Sequence, residues 1–181
     1  MPPSPRRNPR PISPARLEEM ALAYVARFAT SAARLDGYLR RKLRERGWEG
    51  EGDPPVAALV ERYVAAGYVD DLAFAKARTG SLLRRGYGAR RIGQALGAAG
   101  IDEAVRDEVR ADVGEQRRAA LALARKRRLG PFGEPPADRA GREKQVAVLL
   151  RAGHPLDSAR FLVDAASVEA AEHWAEANED D

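Results

Sequence analysis

An all-α fold is what this sequence predicts, and three observations carry the expectation. Strand-favouring residues are scarce, with isoleucine three times and threonine twice, while alanine, leucine, arginine and glutamate abound. Apolar residues recur at helical spacing in several separate stretches. Those stretches are divided by segments rich in glycine and proline, notably GWEGEGDPP at 47–55 and LGPFGEPPADRAG at 129–141. Much of the apolar content is alanine, so the helices should pack closely around a thin core.

The elements follow in chain order. Residues 1–16, MPPSPRRNPRPISPAR, hold six of the twelve prolines and four arginines with no acid, and read as a disordered basic arm. Leu35, Leu39 and Leu43 lie at i, i+4 and i+8 and mark a helix. Val56, Leu59, Val60, Tyr63 and Val64 form one apolar stripe of the next. In GYVDD, Asp70 or Asp71 can cap a helix running through Phe74. Ile92, Ala95, Leu96 and Ala99 repeat the helical pattern, as do Ile101, Val105 and Val109, and then Val146, Leu149, Leu150 and Gly153. Pro155 fits the first turn of a further helix.

Three of these segments share a spacing. KLRERG ends at Gly47, ALGAAG at Gly100 and VLLRAG at Gly153, so the glycines are 53 residues apart. Each has a leucine four residues earlier, at Leu43, Leu96 and Leu149. Each is preceded by a helix ending in Ala-Arg or a basic run, and each is followed by another amphipathic helix. This is an internal repeat of three helices per unit, with a glycine closing the middle helix through its access to positive φ. It predicts three-helix modules at 17–67, 68–113 and 114–166, followed by an acidic tail at 167–181. Units this small bury little alone and should stack into an elongated, curved body.

Charge is unevenly distributed. The net +4 conceals seven acids and no Lys or Arg from Asp164 onward. The remainder carries 31 cations against 20 acids, a balance of +11. A basic body of this kind suits nucleic acid or an acidic protein surface, although an ordinary solvated surface is the alternative. The tail has the composition of a solvated helix end or a disordered segment; the sharper expectation is that it folds back over the basic body and competes with nucleic acid. The chain has no cysteine, which removes disulfides, thiol nucleophiles and Cys-type zinc sites and suits a cytosolic protein. No uninterrupted apolar run reaches transmembrane length, and residues 1–16 lack the apolar centre of a signal peptide.

The stretch LLRRGYGARRIGQAL at 82–96 poses a choice between a phosphate cradle and a corner between helices. A dinucleotide fingerprint needs a third glycine where Arg91 stands, and a preceding strand where AFAKARTGSLLRR has helical composition. Gly-Lys-Ser/Thr occurs nowhere. The glycine pair is therefore a corner, with a helix end at Gly86 and Gly88 capping the helix of Ile92 and Leu96. Arg84 and Arg85 then end one helix, where cations complement the macrodipole. Arg90 and Arg91 fall in the first turn of the next, where that dipole disfavours them, which points to a use outside the helix. Further basic clusters lie at Arg40, Arg41, Lys42, Arg44 and Arg46, and at Arg125, Lys126, Arg127 and Arg128. Tyr87 can stack on a base or cover the helix junction.

Catalytic constellations are missing from the pattern. His154 and His173 have no spaced partner for metal or triad chemistry, and Asp70-Asp71 reads as a helix cap before it reads as a metal pair. The expectation is a non-enzyme with no cofactor and no metal.

GYVDDLAFAKAR (67–78), RRGYGARRIGQALGAAGI (84–101) and REKQVAVLLRAGHPLDSARFLV (142–163) resemble the RecX family of RecA regulators, and YLRRKLRERG (38–47) resembles its first-repeat helix. The likeness runs in order over residues 17–165. Leu35 departs from a common Ser, Ala95 from a favoured Glu, and RAGH from RRGF. The resemblance implies three tandem three-helix repeats and a monomer in the cytoplasm. It further implies binding along the groove of the RecA–single-stranded DNA filament, with inhibition of filament extension, ATP hydrolysis and strand exchange. Candidate contacts to RecA or DNA are Arg40, Arg41, Arg44, Arg84, Arg85, Tyr87, Arg90, Arg91, Arg125, Lys126, Arg127 and Arg128. Other classes to test are a stand-alone DNA-binding module, whose cue of a base-reading helix is weak here with Gln94, Arg90 and Arg91, and a structural helical adaptor.

Overall fold

A computed structural model describes residues 10–177. Ten α-helices follow in order: α1 Pro14–Arg27, α2 Ala32–Arg46, α3 Val56–Ala65, α4 Asp71–Arg84, α5 Ala89–Gly97, α6 Glu103–Glu108, α7 Val113–Arg127, α8 Arg139–Ala152, α9 Leu156–Asp164 and α10 Val168–Glu176. A short 3₁₀ turn, Gly130–Phe132, stands between α7 and α8. The described residues hold no β-strand, in line with the all-α expectation. No described helix is long and apolar enough to cross a membrane.

The chain divides into two compact units. One is the residues up to Phe74 together with Ala99–Ile101; the other is Ala75–Ala98 together with the residues from Asp102 on. In the first unit, Leu35, Leu39 and Leu43 of α2 face Leu17 of α1 and Val56 and Leu59 of α3 in one core. Val64 departs from the stripe expected for α3 and is exposed, although Tyr63 beside it is buried in the core.

The basic N-terminal arm needs correction where it is described. Residues 1–9 lie outside the described residues, but Ile12 is fully buried and pairs with Trp48 in a single β-bridge. Its N–H donates to the Gly47 carbonyl at 3.0 Å, and its carbonyl accepts from Glu49 N–H at 3.0 Å. Ser13 then caps α1 by accepting from Arg16 N–H, with Pro14 at the first helical position. One isoleucine among prolines is enough to anchor the segment.

In the second unit, α7 packs against α8, α9 and α10. Val146, Leu149, Leu162, Ala120 and Ala124 form the centre of its core. Asp112 and Glu115 close a reciprocal capping box on α7, and Asp138 caps α8. The tail also departs from the solvated reading. Ser167 caps α10, whose Ala171 and Ala175 are fully buried against the core, and Trp174 packs beside them. Residues 178–181 lie outside the described residues.

The repeated glycines behave alike in kind, with one displaced. Gly47 and Gly153 follow α2 and α8 directly at φ +83° and +97°. Gly100 comes three residues after α5 ends, at φ +71°. The delay has a cause within the first unit: Ala99 is buried, and its carbonyl accepts the Ser31 hydroxyl at 2.5 Å before the chain turns.

Candidate functional site

The corner between α4 and α5 is built as the glycine spacing predicts. Arg84 is the last residue of α4, Gly86 turns at φ +83°, and Gly88 is the N-cap of α5. Asp70 caps α4 by accepting from Ala73 N–H at 2.8 Å, while Asp71 instead accepts from Ala32 N–H at 2.8 Å.

This corner is fastened to the end of α8. Gly88 N–H donates to the Ala152 carbonyl at 2.9 Å and Arg90 N–H to the Gly153 carbonyl at 3.3 Å. The backbones approach so closely that a Cβ on Gly88 would come within 2.5 Å of the Gly153 carbonyl carbon. His154, 3 % exposed, completes the joint with Nε2 at 2.9 Å from the Gly86 carbonyl. A carbonyl accepts, so Nε2 carries the proton and Nδ1, which is buried, has no partner. Burial holds this imidazole below its usual pKa, with the hydrogen bond to Gly86 opposing the shift.

Beside the joint lies a groove of about 730 Å³. Arg85, Tyr87 and Arg91 come from the corner, Lys126 and Arg127 from the end of α7, and Arg151 from α8. Leu123, Leu129, Val148 and Ala152 supply its apolar lining. An adjoining groove of about 420 Å³ shares Arg85, Tyr87 and Arg91 and adds Arg78 and Gln94. Six cations therefore line the two, and no acid does. None of the six is ion-paired to a described residue. Six cations held without counter-charge favour an anionic occupant with several charges in a row.

Tyr87 is half-buried on the second unit's core with the Arg85 guanidinium 5.3 Å from its ring centroid. Covering the junction is its role in this structure. The other cations separate. Arg90 spends its guanidinium on the Leu150 carbonyl at 2.5 Å, which explains an arginine in the first turn of α5. Arg84 lies by Glu115 and Arg118 in another cavity, Arg125 pairs with Glu172 of α10, and Arg128 caps α7 in the left-handed region at φ 54°. Arg40 pairs with Asp36 at 2.8 Å and Arg41 with Glu45 at 3.9 Å, while Arg44 is exposed; all three belong to the first unit. Sequence reasoning missed Arg78 and Arg151. Arg78 closes an Ala-Arg pair like Arg27 and Arg125, whereas Arg151 stands before Ala152 and shares no such pattern.

Relatives decide the family. A regulatory protein RecX from Myxococcus xanthus is 35 % identical over 167 residues, covering 87 % of this chain and 89 % of its own length. The chain belongs to the RecX family. A regulatory protein RecX from Mycobacterium sp. (strain JLS) is 34 % identical over 169 residues, covering 91 % and 89 %. The second three-helix domain of RecX matches residues 70–109, which include α4, the corner and α5. The crystal structure of RecX from Lactobacillus salivarius shares the fold at a TM-score of 0.65 and 15 % identity, over 83 % of this chain and 94 % of that one. Three of the six groove cations, Arg78, Arg85 and Arg91, fall within the RecX second domain.

Proposed function

We propose that this chain regulates recombination and DNA repair by binding the RecA–single-stranded DNA filament and restraining filament extension, ATP hydrolysis and strand exchange. The observation that carries the reading is the acid-free groove with its six cations, set on the RecX second domain and the helices after it. A polyanion or an acidic protein face is the natural complement of such a surface. Membership of a family whose relatives are named regulatory protein RecX supports RecA as the partner, and the reading takes the chain as a cytoplasmic monomer. The nine helices from α1 to α9 are then three successive modules, 17–67, 68–113 and 114–166. Inhibition needs no chemistry from this chain; a difference in affinity between filament states is sufficient.

The test is RecA-catalysed, single-strand-dependent ATP hydrolysis with this protein at low ratios. The wild type is expected to slow hydrolysis. An R85A/R91A/R127A/R151A variant should lose that effect while keeping its helical circular dichroism, because all four side chains are exposed. For any part of binding that is phosphate contact, each lost contact should reduce the slope of log K against log salt by about 0.7. Undiminished inhibition by the fourfold variant removes the groove from the mechanism, and no effect of the wild type removes RecA.

A further inference from the structure

The first unit carries a second arrangement of aromatics and cations that the groove does not use. Tyr24 of α1 and Tyr38 of α2 stack at 4.3 Å between centroids and 18° between planes. Phe28, at the end of α1, lies 5.3 Å from Tyr24 at a tilt of 52° and is 50 % exposed. Arg27 stands 5.7 Å from the Phe28 centroid and Arg41 5.7 Å from that of Tyr38. Arg27 has no ion pair among the described residues, and the Arg41 pair with Glu45 is long at 3.9 Å.

Sequence spacing explains the gathering. Tyr24 and Arg27 lie at i and i+3 on α1 with Phe28 as its C-cap, and Tyr38 and Arg41 at i and i+3 on α2. The tyrosines rest on the first unit's core with one side. Phe28 leaves half its surface in water beside the Arg27 guanidinium.

We propose that Tyr24, Phe28 and Tyr38 form a stacking platform for the unpaired bases of single-stranded nucleic acid, with Arg27 and Arg41 meeting the adjoining phosphates. Bases offer flat π-faces to any aromatic ring, and the same strand supplies the anions that flanking arginines require. Charge selects this occupant over an apolar protein surface. The contrast within the molecule is Phe161 and Trp174, which also stack, at 5.0 Å and 20°. Those rings sit on α9 and α10, whose five acids, Asp157, Asp164, Glu169, Glu172 and Glu176, outnumber Arg160 and the Arg117 guanidinium over Trp174. Of the two stacked pairs among the described residues, the α1–α2 group is the one with two flanking guanidinium groups, Arg27 and Arg41.

The experiment requires no RecA, so its outcome is separate from that of the filament reading. Full-length protein is titrated into a labelled thymidine oligonucleotide and into an abasic oligonucleotide of equal length, at low salt, and followed by anisotropy. The wild type should prefer the thymidine strand by about tenfold, which one stacked base can supply. F28A should lose most of that preference while keeping its affinity for the abasic strand, and F28W should retain it. Phe28 is half in solvent, so F28A is expected to fold, with circular dichroism as the control. Equal wild-type affinity for the two strands overturns the proposal. So does F28A binding both strands like wild type while losing its effect on RecA, which would assign the rings to a protein contact.

Discussion

At the level of single residues, His154 shows how a departure from the family pattern is accommodated. RAGH stands where the resemblance implies RRGF, and the imidazole is buried, 3 % exposed. The imidazole exchanges apolar contact for a hydrogen bond to the Gly86 carbonyl, and leaves Nδ1 unsatisfied. Burial lowers the pKa, so the folded protein resists a proton that the unfolded chain accepts below the ordinary value of 6.5. The folded state therefore keeps its full stability above about pH 6.5 and loses it as pH falls toward and through the depressed pKa. Urea melts between pH 7.5 and 5 should show the loss, at no more than about 1.4 kcal/mol per pH unit from this group. H154Q, which can still donate to Gly86, should flatten the dependence across that range; an unchanged profile would assign it to other groups.

Among elements, α10 is the one whose part changed most between sequence and structure. Its composition advertises acid, and acid is what a reader of composition sees. The packing lies in Ala171 and Ala175, four residues apart on one face, and alanine gives a weak signal because it is as common on helix surfaces as inside. Trp174 beside them is held by the core and by Arg117, whose guanidinium lies 5.3 Å from its ring. Arg117 also donates to the Ala177 carbonyl at 3.1 Å. Truncation after Ala166 should therefore lower the melting temperature by about 5–10 °C, corresponding to roughly 2–3 kcal/mol of lost packing. A freely solvated tail would leave it unchanged. The same truncation removes six acids and raises the net charge from +4 to +10. It also frees Arg125 from Glu172. Binding to single strands at low salt should tighten, with the gain fading as salt shortens the Debye length.

The other helices were more legible. Leu35, Leu39, Leu43, Val146 and Leu149 all occupy core positions because helical periodicity reports directly which face meets a neighbour. The glycine corner at 86–88 was readable for a similar reason: positive φ and close backbone approach admit few other residues. The groove was legible only in part. Arg85, Arg91, Lys126 and Arg127 stood in visible clusters, whereas Arg78 and Arg151 are single cations brought beside them by helix packing. Spacing along the chain cannot foretell that meeting.

Across the whole molecule, chain order and compact unit do not coincide. The first unit takes in Ala99–Ile101 although the residues between Phe74 and Ala99 belong to the second. Ser31 fixes the return: its hydroxyl accepts from Arg34 N–H at 3.3 Å, capping α2, and donates to the Ala99 carbonyl. S31A should destabilise the protein by about 1–2 kcal/mol in urea unfolding, since it removes a cap and leaves a buried carbonyl without its donor. A loss near zero would mean that water or another group takes over both bonds.

This detour bears on the order in which a ribosome delivers the chain. When Phe74 emerges, α1, α2 and α3 are present, but the partner of Ser31 has not yet left the ribosome. Twenty-four further residues, Ala75–Ala98, must appear before it does, and they belong to the other unit. Gly100, whose close neighbour is the Ala33 side chain, arrives with it. The N-terminal half thus stays unfinished through the synthesis of α4 and α5, and its last piece is supplied by a segment made after them.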